Sequence, residues 1–325
     1  MSTHAATARA GANIAFIKYW GNMDEALRLP LTNSLSMTLD TAVTITTVTF
    51  DPRLERDVLV LNEREESGPA LKRVTAHLDH MRRLAGVSWP ARVVSRNTFP
   101  TGAGIASSAS AFAALTVAAA AALGLSLSPT ELSALARLGS GSAARSIFGG
   151  YVELIAAGRH EDAHAVQVAP PEHWPLVDIV AVVSRQHKAV GSTGGHALAP
   201  TSPLNPGRLA HVHTALARAR SAILARDIET LGEVMELDAL TMHAVMMTSR
   251  PSLLYWLPGT LAVMHAVRGW RREGIPAYFT IDAGPNVHVI TLPEHADEVQ
   301  ARLAAMPEVK ETIVCRTGEG ATCIG

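Results

Sequence analysis

The residues at 100–110, Pro-Thr-Gly-Ala-Gly-Ile-Ala-Ser-Ser-Ala-Ser, are of types that bind phosphate. They follow a β-branched run at 93–95 and lead into an alanine-rich run at 109–125, which predicts a strand, a loop and a helix. The glycines let the backbone approach a ligand closely, and Ser107 and Ser108 lie where the first helical amides have no intrahelical partner. Since no lysine follows the second glycine, this is not a Walker A loop. Alone, it is equally typical of an anion site and of an ordinary helix N-cap.

Three further segments each contribute one ionisable side chain. Lys18 lies in an apolar run, where lysine is rarely buried without a partner, although a lysine can also snorkel to the surface. Arg145 lies in the Gly-Ser-rich segment 139–151, which we interpret as a second substrate-binding loop rather than a linker. Asp282 begins Asp-Ala-Gly-Pro-Asn, residues that a tight hairpin would use in any case. Combined with the Ser/Gly loop, these side chains indicate phosphoryl transfer to an anionic substrate.

A second motif, His-Glu-Asp-Ala-His at 160–164, matches the zinc-binding pattern H-E-x-x-H. That zinc site needs both histidines on one face of a helix. Here the pentapeptide follows Gly158 and precedes a strand-like run, so we predict a hairpin without zinc.

Composition excludes several classes of protein. The formal charge of −1 gives no electrostatic reason to expect a nucleic acid, and the 5% aromatic content argues against a base-stacking platform. Two cysteines cannot build a disulfide framework. The N-terminus lacks the apolar run of a signal peptide, and the most apolar segment, 109–125, is too short for a membrane span. We therefore expect a cytoplasmic protein that binds neither nucleic acid nor membrane.

The elements that must position these residues alternate between sheets and helices. Apolar periodicity and β-branching predict strands at 34–39, 43–50, 57–62, 151–156, 177–183, 277–281, 287–291 and 312–315, the last at a sheet edge. Amphipathic patterns predict helices at 70–85, 128–138, 204–225, 227–246, 260–273 and 294–305. The polar, Gly-rich segment 184–196 is a plausible domain junction, and we place the boundary between residues 185 and 186.

Four stretches of the sequence resemble the GHMP kinase superfamily and, within it, the mevalonate diphosphate and phosphomevalonate decarboxylases. They are residues 12–21, 99–115, 139–151 and 281–286, in the family's order over nearly the whole chain. The resemblance implies an α+β fold of two domains. Residues 1–185 would form a mixed-sheet, phosphate-loop domain that binds ATP, and residues 186–325 a ferredoxin-like domain.

The resemblance also implies a reaction and a set of site residues. ATP would phosphorylate a tertiary 3-hydroxyl group, after which phosphate and carbon dioxide leave and an alkene remains. The catalytic residues would be Asp282, Arg145 and Lys18, with Arg145 holding the substrate carboxylate. The substrate would contact Asn13, Tyr19, Ser140, Ser142, Arg145 and Ser192. ATP would contact Pro100, Gly102, Ala103, Gly104, Ala106, Ser107 and Ser108.

Magnesium should be required to bridge the ATP phosphates, although no magnesium-binding carboxylate is evident in the sequence. A homodimer is also expected from the relatives.

Two departures from the family pattern concern the substrate. Where relatives that use the diphosphate read Trp-Gly-Lys and Ser-Arg, this chain has Asn22 and Thr193 in place of the cations. We therefore expect mevalonate 5-phosphate as the substrate and isopentenyl phosphate as the product. The alternatives are the 5-diphosphate, a superfamily kinase that does not decarboxylate, and a binding protein without turnover. Nearby cations could compensate for the missing ones; they are Lys72, Arg73, Arg185 and Lys188.

Overall fold

The computed structural model describes residues 4–99, 107–186 and 190–324 of the 325-residue chain. The expected ATP-binding residues from Pro100 to Ala106 lie outside these ranges, as does Lys188. The described part contains two main sheets with helices packed against them, as expected for an α+β fold. No helix within it has the length and apolar character needed to cross a membrane.

The first sheet is formed by strands rich in β-branched and small residues. In chain order they are β1 (His4–Ile17), β4 (Ser34–Phe50), β5 (Val58–Leu61), β6 (Arg64–Glu66), β7 (Ala91–Asn97), β8 (Tyr151–Leu154) and β9 (Ala165–Ala169). Between β1 and β4, the strands β2 (Asn22–Asp24) and β3 (Leu29–Pro30) form a separate small hairpin. β5 pairs with β7 in parallel, whereas β1, β7 and β8 each pair with β4 antiparallel. The sheet is therefore mixed, as predicted.

One long strand, β4, replaces the two predicted at 34–39 and 43–50. Its pairing with β1 shifts register between Gly11 and Asn13, which face Val43 and Thr38 respectively. The backbone stays extended through this irregularity, so the polar residues that suggested a break lie within a bulged strand.

Helices cover one face of this sheet. They are α1 (Pro69–Ala85), α2 (Ser107–Ala122), α3 (Pro129–Gly139) and the short α4 (Ala143–Ser146). α2 is apolar around most of its circumference and packs on β1 and β4, which confirms the predicted buried helix. Ser128 caps α3 in a capping box with Glu131, also as predicted. α4 was not predicted, because four residues are too few to show a helical period.

The second sheet has the β-α-β-β-α-β order of a ferredoxin-like unit. Its strands are β10 (Val177–Val182), β11 (Tyr278–Thr280), β12 (Val287–Thr291) and β13 (Glu311–Arg316). Its helices are α5 (Ser192–His196), α6 (Asn205–Ala225), α7 (Ile228–Thr248), α8 (Pro258–Arg272) and α9 (Ala296–Ala304). The strand order is β11-β12-β10-β13, with neighbours antiparallel and β13 at an edge. The expected ferredoxin-like architecture is confirmed.

The two sheets share a hydrophobic core. One cluster joins Ile14 and Leu35 of the first sheet to Val180 of the second and to Met235 of α7. β10 lies before the boundary predicted at residue 185, yet it pairs within the second sheet. The boundary itself remains a prediction. A last strand, β14 (Thr322–Cys323), returns to pair with β1 of the first sheet.

Candidate active site

A cavity of about 450 Å³ opens between the two sheets. It is lined from several directions: the C-terminal end of β1, the start of α2, the segment between α3 and α4, the helix α5, and the β11–β12 turn. The structure brings together on its wall every described residue expected to be catalytic or to bind ligand: Asn13, Lys18, Tyr19, Ser107, Ser108, Ser140, Ser142, Arg145, Ser192 and Asp282.

Lys18 and Asp282 form an ion pair in this cavity. Nζ of Lys18 lies 2.7 Å from Oδ1 of Asp282, and the lysine side chain is only 2% exposed. The lysine is therefore buried with a partner and does not snorkel to the surface. Burial would raise the pKa of Asp282, but the charges of Lys18, His288 and Arg145 outweigh it and lower that pKa. The carboxyl group is consequently ionised at neutral pH.

The turn between β11 and β12 fixes the position of Asp282. Its carbonyl oxygen accepts hydrogen bonds from the amide of Gly284 (2.7 Å) and from Nε2 of His243 on α7 (3.1 Å). Burial lowers the pKa of His243 to about 4, so this imidazole is neutral and donates through Nε2. The Asn286 side chain binds the backbone amides of Val183 and Ser184 beyond β10, which anchors the other end of the turn.

Arg145 is a buried guanidinium surrounded by neutral oxygens. Its Nε donates to Ser36 Oγ (2.9 Å), Nη1 to Ser34 Oγ (2.5 Å) and Nη2 to Asn13 Oδ1 (3.0 Å). Burial lowers its pKa to about 10, so the group remains charged at neutral pH. Three of its five N–H donors are used, and the described residues give it no ion pair. A buried cation in this state favours an incoming anion.

Asn13 holds Arg145 and the short helix α4 in one arrangement. Its oxygen accepts from Arg145, while its Nδ2 donates to the Ser142 carbonyl oxygen (3.1 Å) and to Ser146 Oγ (2.8 Å). α4 consequently presents Arg145 to the cavity, and the segment predicted as a substrate-binding loop contains a short buried helix. Asn13 therefore uses its amide within the protein while lining the cavity.

A row of serine hydroxyl groups connects the two loops of the sequence prediction. Ser108 Oγ lies 3.1 Å from Ser140 Oγ, which lies 3.4 Å from Ser142 Oγ. Ser107 begins α2, so its hydroxyl and the first amides of that 16-residue helix lie at one end of the row. The row thus leads from a helix N-terminus, which favours anions, towards Arg145.

Tyr19 and α5 form the opposite wall. The Tyr19 ring packs so close to Gly141 that a Cβ there would lie 2.2 Å from Cε1, which explains the glycine. The ring centroid lies 4.3 Å from that of His196, in the same helix as Ser192. His196 Nδ1 accepts from the Gly21 amide (2.9 Å), and burial lowers its pKa to about 3, so the imidazole is neutral.

Two buried side chains that were not predicted from the sequence support the backbone of Lys18. Oδ2 of Asp238, on α7, accepts from the Lys18 amide at 2.7 Å, and Nη2 of Arg208, on α6, donates to the Lys18 carbonyl oxygen at 2.9 Å. Both side chains are almost fully buried, and they lie 3.7 Å apart. They occur on helices about 200 residues away from Lys18 in the chain, so no local pattern could connect them.

The zinc-like pentapeptide lies in the connection between β8 and β9, which pair antiparallel, so the predicted hairpin is confirmed. His160 there interacts with Arg137 rather than with a group of metal ligands.

Two family models match the chain. Residues 10–165 match a diphosphomevalonate decarboxylase-like N-terminal domain, and residues 178–321 match a mevalonate 5-diphosphate decarboxylase C-terminal domain. These matches agree with the resemblance carried by the four sequence stretches.

Individual relatives point the same way. The chain is 35% identical over 301 residues to the phosphomevalonate decarboxylase of Haloferax volcanii, with 92% of each chain covered. It is 37% identical over 324 residues to the diphosphomevalonate decarboxylase of Ganoderma lucidum, with 92% of this chain and 81% of the relative covered. A solved structure of "MDDEF in complex with MVAPP, AMPPCP and Magnesium" superposes with a TM-score of 0.94 at 39% identity, covering 99% of both chains. The chain belongs to the diphosphomevalonate decarboxylase family.

Proposed function

We propose that the protein catalyses the ATP-dependent decarboxylation of mevalonate 5-phosphate to isopentenyl phosphate. The observation that carries the chemistry is one cavity that holds the Lys18–Asp282 pair, the buried Arg145 and a helix N-terminus with serine hydroxyl groups. These groups match a hydroxyl to be phosphorylated, a carboxylate to be lost and a nucleotide phosphate, respectively.

In the first step, Asp282 accepts the hydrogen bond of the 3-hydroxyl group and takes its proton as the oxygen attacks the γ-phosphorus of ATP. Because its pKa is lowered, Asp282 is a weak base that serves mainly to orient the hydroxyl group before the transfer. Lys18, held 2.7 Å from this carboxylate, stabilises its charge and adds positive potential near the transferred phosphoryl group.

In the second step, the C3–O bond breaks and its electron pair leaves with phosphate, which gives C3 positive character. The electron pair of the bond to the carboxylate then forms the C2–C3 double bond, and carbon dioxide leaves. Arg145 orients the carboxylate through its two unused N–H donors. Since Arg145 is fixed by Ser34, Ser36 and Asn13, it holds the carboxylate in one orientation while the bond to C2 breaks.

The donors present fit magnesium delivered with ATP. Among the described residues, no group of three or more His, Cys, Asp or Glu side chains is placed to hold a metal ion. Magnesium commonly takes only one or two protein ligands together with water and substrate phosphates, and the hydroxyl groups of Ser107 and Ser108 would supply oxygens here. When bound, the ion neutralises charge on the phosphates. The solved relative with AMPPCP and magnesium supports this assignment.

The choice of the monophosphate rests on two neutral side chains. The Asn22 amide is engaged by the Tyr19 hydroxyl and by Glu25 Oε2 (2.8 Å), and Thr193 lines the cavity without charge. A charge-assisted hydrogen bond contributes about 1.5–3 kcal/mol. The absence of two cations therefore disfavours a second phosphate group by roughly 3–6 kcal/mol if the contributions add. The name of the Haloferax relative supports this choice, whereas that of the Ganoderma relative favours the 5-diphosphate as the alternative.

The test is to incubate the protein with ATP, magnesium and either mevalonate 5-phosphate or mevalonate 5-diphosphate, and to measure carbon dioxide and product. We expect isopentenyl phosphate, and a kcat/KM at least about tenfold higher for the monophosphate. Asn22→Lys combined with Thr193→Arg should shift the preference towards the diphosphate. Phosphorylation without carbon dioxide release would instead identify a kinase, and a preference of the wild type for the diphosphate would refute the substrate assignment.

A further inference from the structure

Arg28 is a cation of the cavity wall that neither the sequence prediction nor the reaction steps use. It lies in the turn between β2 and β3. Its Nε donates to the carbonyl oxygen of Leu138, at the end of α3, over 3.0 Å. Neither of its two terminal nitrogens has a partner among the described residues, and no described carboxylate forms an ion pair with it.

The charged group beside it on the cavity wall is another cation, and the carboxylate of the same turn, Glu25, accepts a hydrogen bond from Asn22 and forms no ion pair with Arg28. Arg73 lines the same cavity and donates to the carbonyl oxygen of the next residue, Gly139, at 3.1 Å, so two guanidinium groups lie side by side at the end of α3. Arg73 likewise forms no ion pair in the part of the chain that the structure describes. Adjacent like charges that lack a counterion raise the local positive potential and attract an anion.

The end of α3 explains only part of this arrangement. Helix C-terminal carbonyl groups favour cations, which accounts for one donor of each guanidinium. Arg28 has five N–H donors, so its forked terminal end remains available. Arg28 also has a φ of +50°, a conformation in which glycine or asparagine would be less strained, so the turn does not itself explain an arginine.

The other neighbours face the same space. Burial raises the pKa of the Tyr19 phenol, and the charge of Arg28 opposes that rise; burial lowers the pKa of His196 to about 3, and the charge of Arg28 lowers it further. Arg28 therefore lies within electrostatic reach of both rings. His196 accepts from Gly21 through Nδ1, so its remaining proton is on Nε2, which has no partner among the described residues. The Arg28 fork and this imidazole are donors on the same side of the cavity.

We infer that the guanidinium group of Arg28 binds the phosphate group of the substrate. This inference rests on the proposed function, since mevalonate 5-phosphate carries two anionic groups. Arg145 receives the carboxylate at the α4 side of the cavity, and Arg28 receives the phosphate between Tyr19 and the end of α3. A forked guanidinium matches phosphate geometry and can donate two parallel hydrogen bonds to it.

The test compares Arg28→Met with wild type, Arg28→Lys and a matched control. Arg185→Met removes an arginine that follows β10 but pairs with Glu311 on the surface and does not line the cavity. Steady-state kinetics should show the KM for mevalonate 5-phosphate raised roughly 10- to 100-fold in Arg28→Met, with kcat and the KM for ATP unchanged. Arg28→Lys should give an intermediate KM, and Arg185→Met the wild-type value.

Calorimetric titration of each variant with mevalonate 5-phosphate in the absence of ATP separates this inference from the proposed reaction. Weaker binding by Arg28→Met would support the phosphate contact even if wild type proved to prefer the diphosphate or to stop after phosphorylation. An unchanged affinity, or a rise in the KM for ATP alone, would overturn it. If Arg28→Met fails to fold, Arg28→Lys decides, because it retains the charge but loses the fork: wild-type affinity in that variant would refute bidentate binding.

Discussion

At the scale of single residues, the cavity contains ionisable groups whose charges are set by burial and by one another. Lys18 and Asp282 compensate each other within 2.7 Å, whereas Arg145 is buried against hydroxyl and amide oxygens alone. Removing one member of a buried ion pair leaves the other charge unpaired, whereas Arg145 has no ion-pair partner among the described residues and gains a counter-charge when an anionic ligand binds. The two kinds of group should therefore respond differently to substitution.

Asp282→Asn should remove most turnover while ATP binding persists, and it should also lower the free energy of unfolding, because it leaves the buried Lys18 without its counter-charge. Asparagine keeps the size of the side chain and is a good turn residue, but it cannot take a proton from the hydroxyl group. Loss of a positioned acid–base group lowers kcat by at least about 10²-fold. The control is Asp79→Asn, which removes one of the two carboxylate partners of Arg82 on α1 and does not line the cavity. Near-wild-type turnover in Asp282→Asn would refute the catalytic assignment.

Arg145→Gln should weaken binding of the carboxylated substrate by roughly 10- to 100-fold, because a charge-assisted bidentate contact is lost. Binding of an analogue that lacks the carboxylate should change much less. Both affinities can be measured by calorimetric titration, with ATP binding as the check that the cavity is intact. Equal losses for the two ligands would mean that Arg145 supports the structure through Ser34 and Asn13 rather than the carboxylate.

At the scale of elements, the helices and strands with a clear period were predictable, and the short or bulged ones were not. The long helices α6 and α7 were expected at 204–225 and 227–246 and occur at Asn205–Ala225 and Ile228–Thr248, because each offers several turns of apolar periodicity. α4 escaped prediction because its helix is fixed by a distant amide, that of Asn13. A contact between residues so far apart in the chain leaves no local pattern.

The same reasoning explains which parts of the site could be predicted. Asp282, Arg145 and Lys18 lie in unusual local settings, such as a lysine among apolar residues, and these settings are visible in one segment. Arg28 and Asp238 are unremarkable in their own segments and reach the cavity or Lys18 only through the tertiary fold. Arg73, named above as a nearby cation that could compensate for the missing ones, lines the cavity.

The helices α6 and α7 position Lys18 through its backbone, and Asp238→Asn tests this role. The change leaves Arg208 buried without a counter-charge, which should cost about 3–5 kcal/mol of stability and lower kcat by displacing Lys18. Urea unfolding and steady-state kinetics measure the two effects. Glu233→Gln is the matched control, because it breaks an exposed ion pair with Arg218 between the same two helices and should cost at most about 1 kcal/mol. Similar losses of stability and of kcat in the two variants would contradict the role of Asp238 in positioning Lys18.

At the scale of the whole molecule, both sheets contribute to one cavity and to one shared core. Lys18 directly follows strand β1 of the first sheet, and Asp282 lies in a turn of the second, so their ion pair exists only when both sheets are formed and packed together. Conditions that destabilise the global fold should therefore also abolish the site. A low pH is such a condition, because the molecule contains buried histidines in both of its halves.

Acidification should destabilise the protein between about pH 6.5 and pH 4. Burial lowers the pKa of His77 and His196 to about 3 and that of His243 to about 4. In this range the unfolded chain binds protons at these histidines and the folded chain does not, so stability falls as the pH falls. Each group contributes at most about 1.4 kcal/mol per pH unit. Urea unfolding at a series of pH values measures the slope. His77→Gln, at a position that does not line the cavity, should reduce this slope by one such contribution, with pH 8 as the reference where these histidines are neutral in both states. An unchanged slope in that variant would show that His77 is not among the groups responsible.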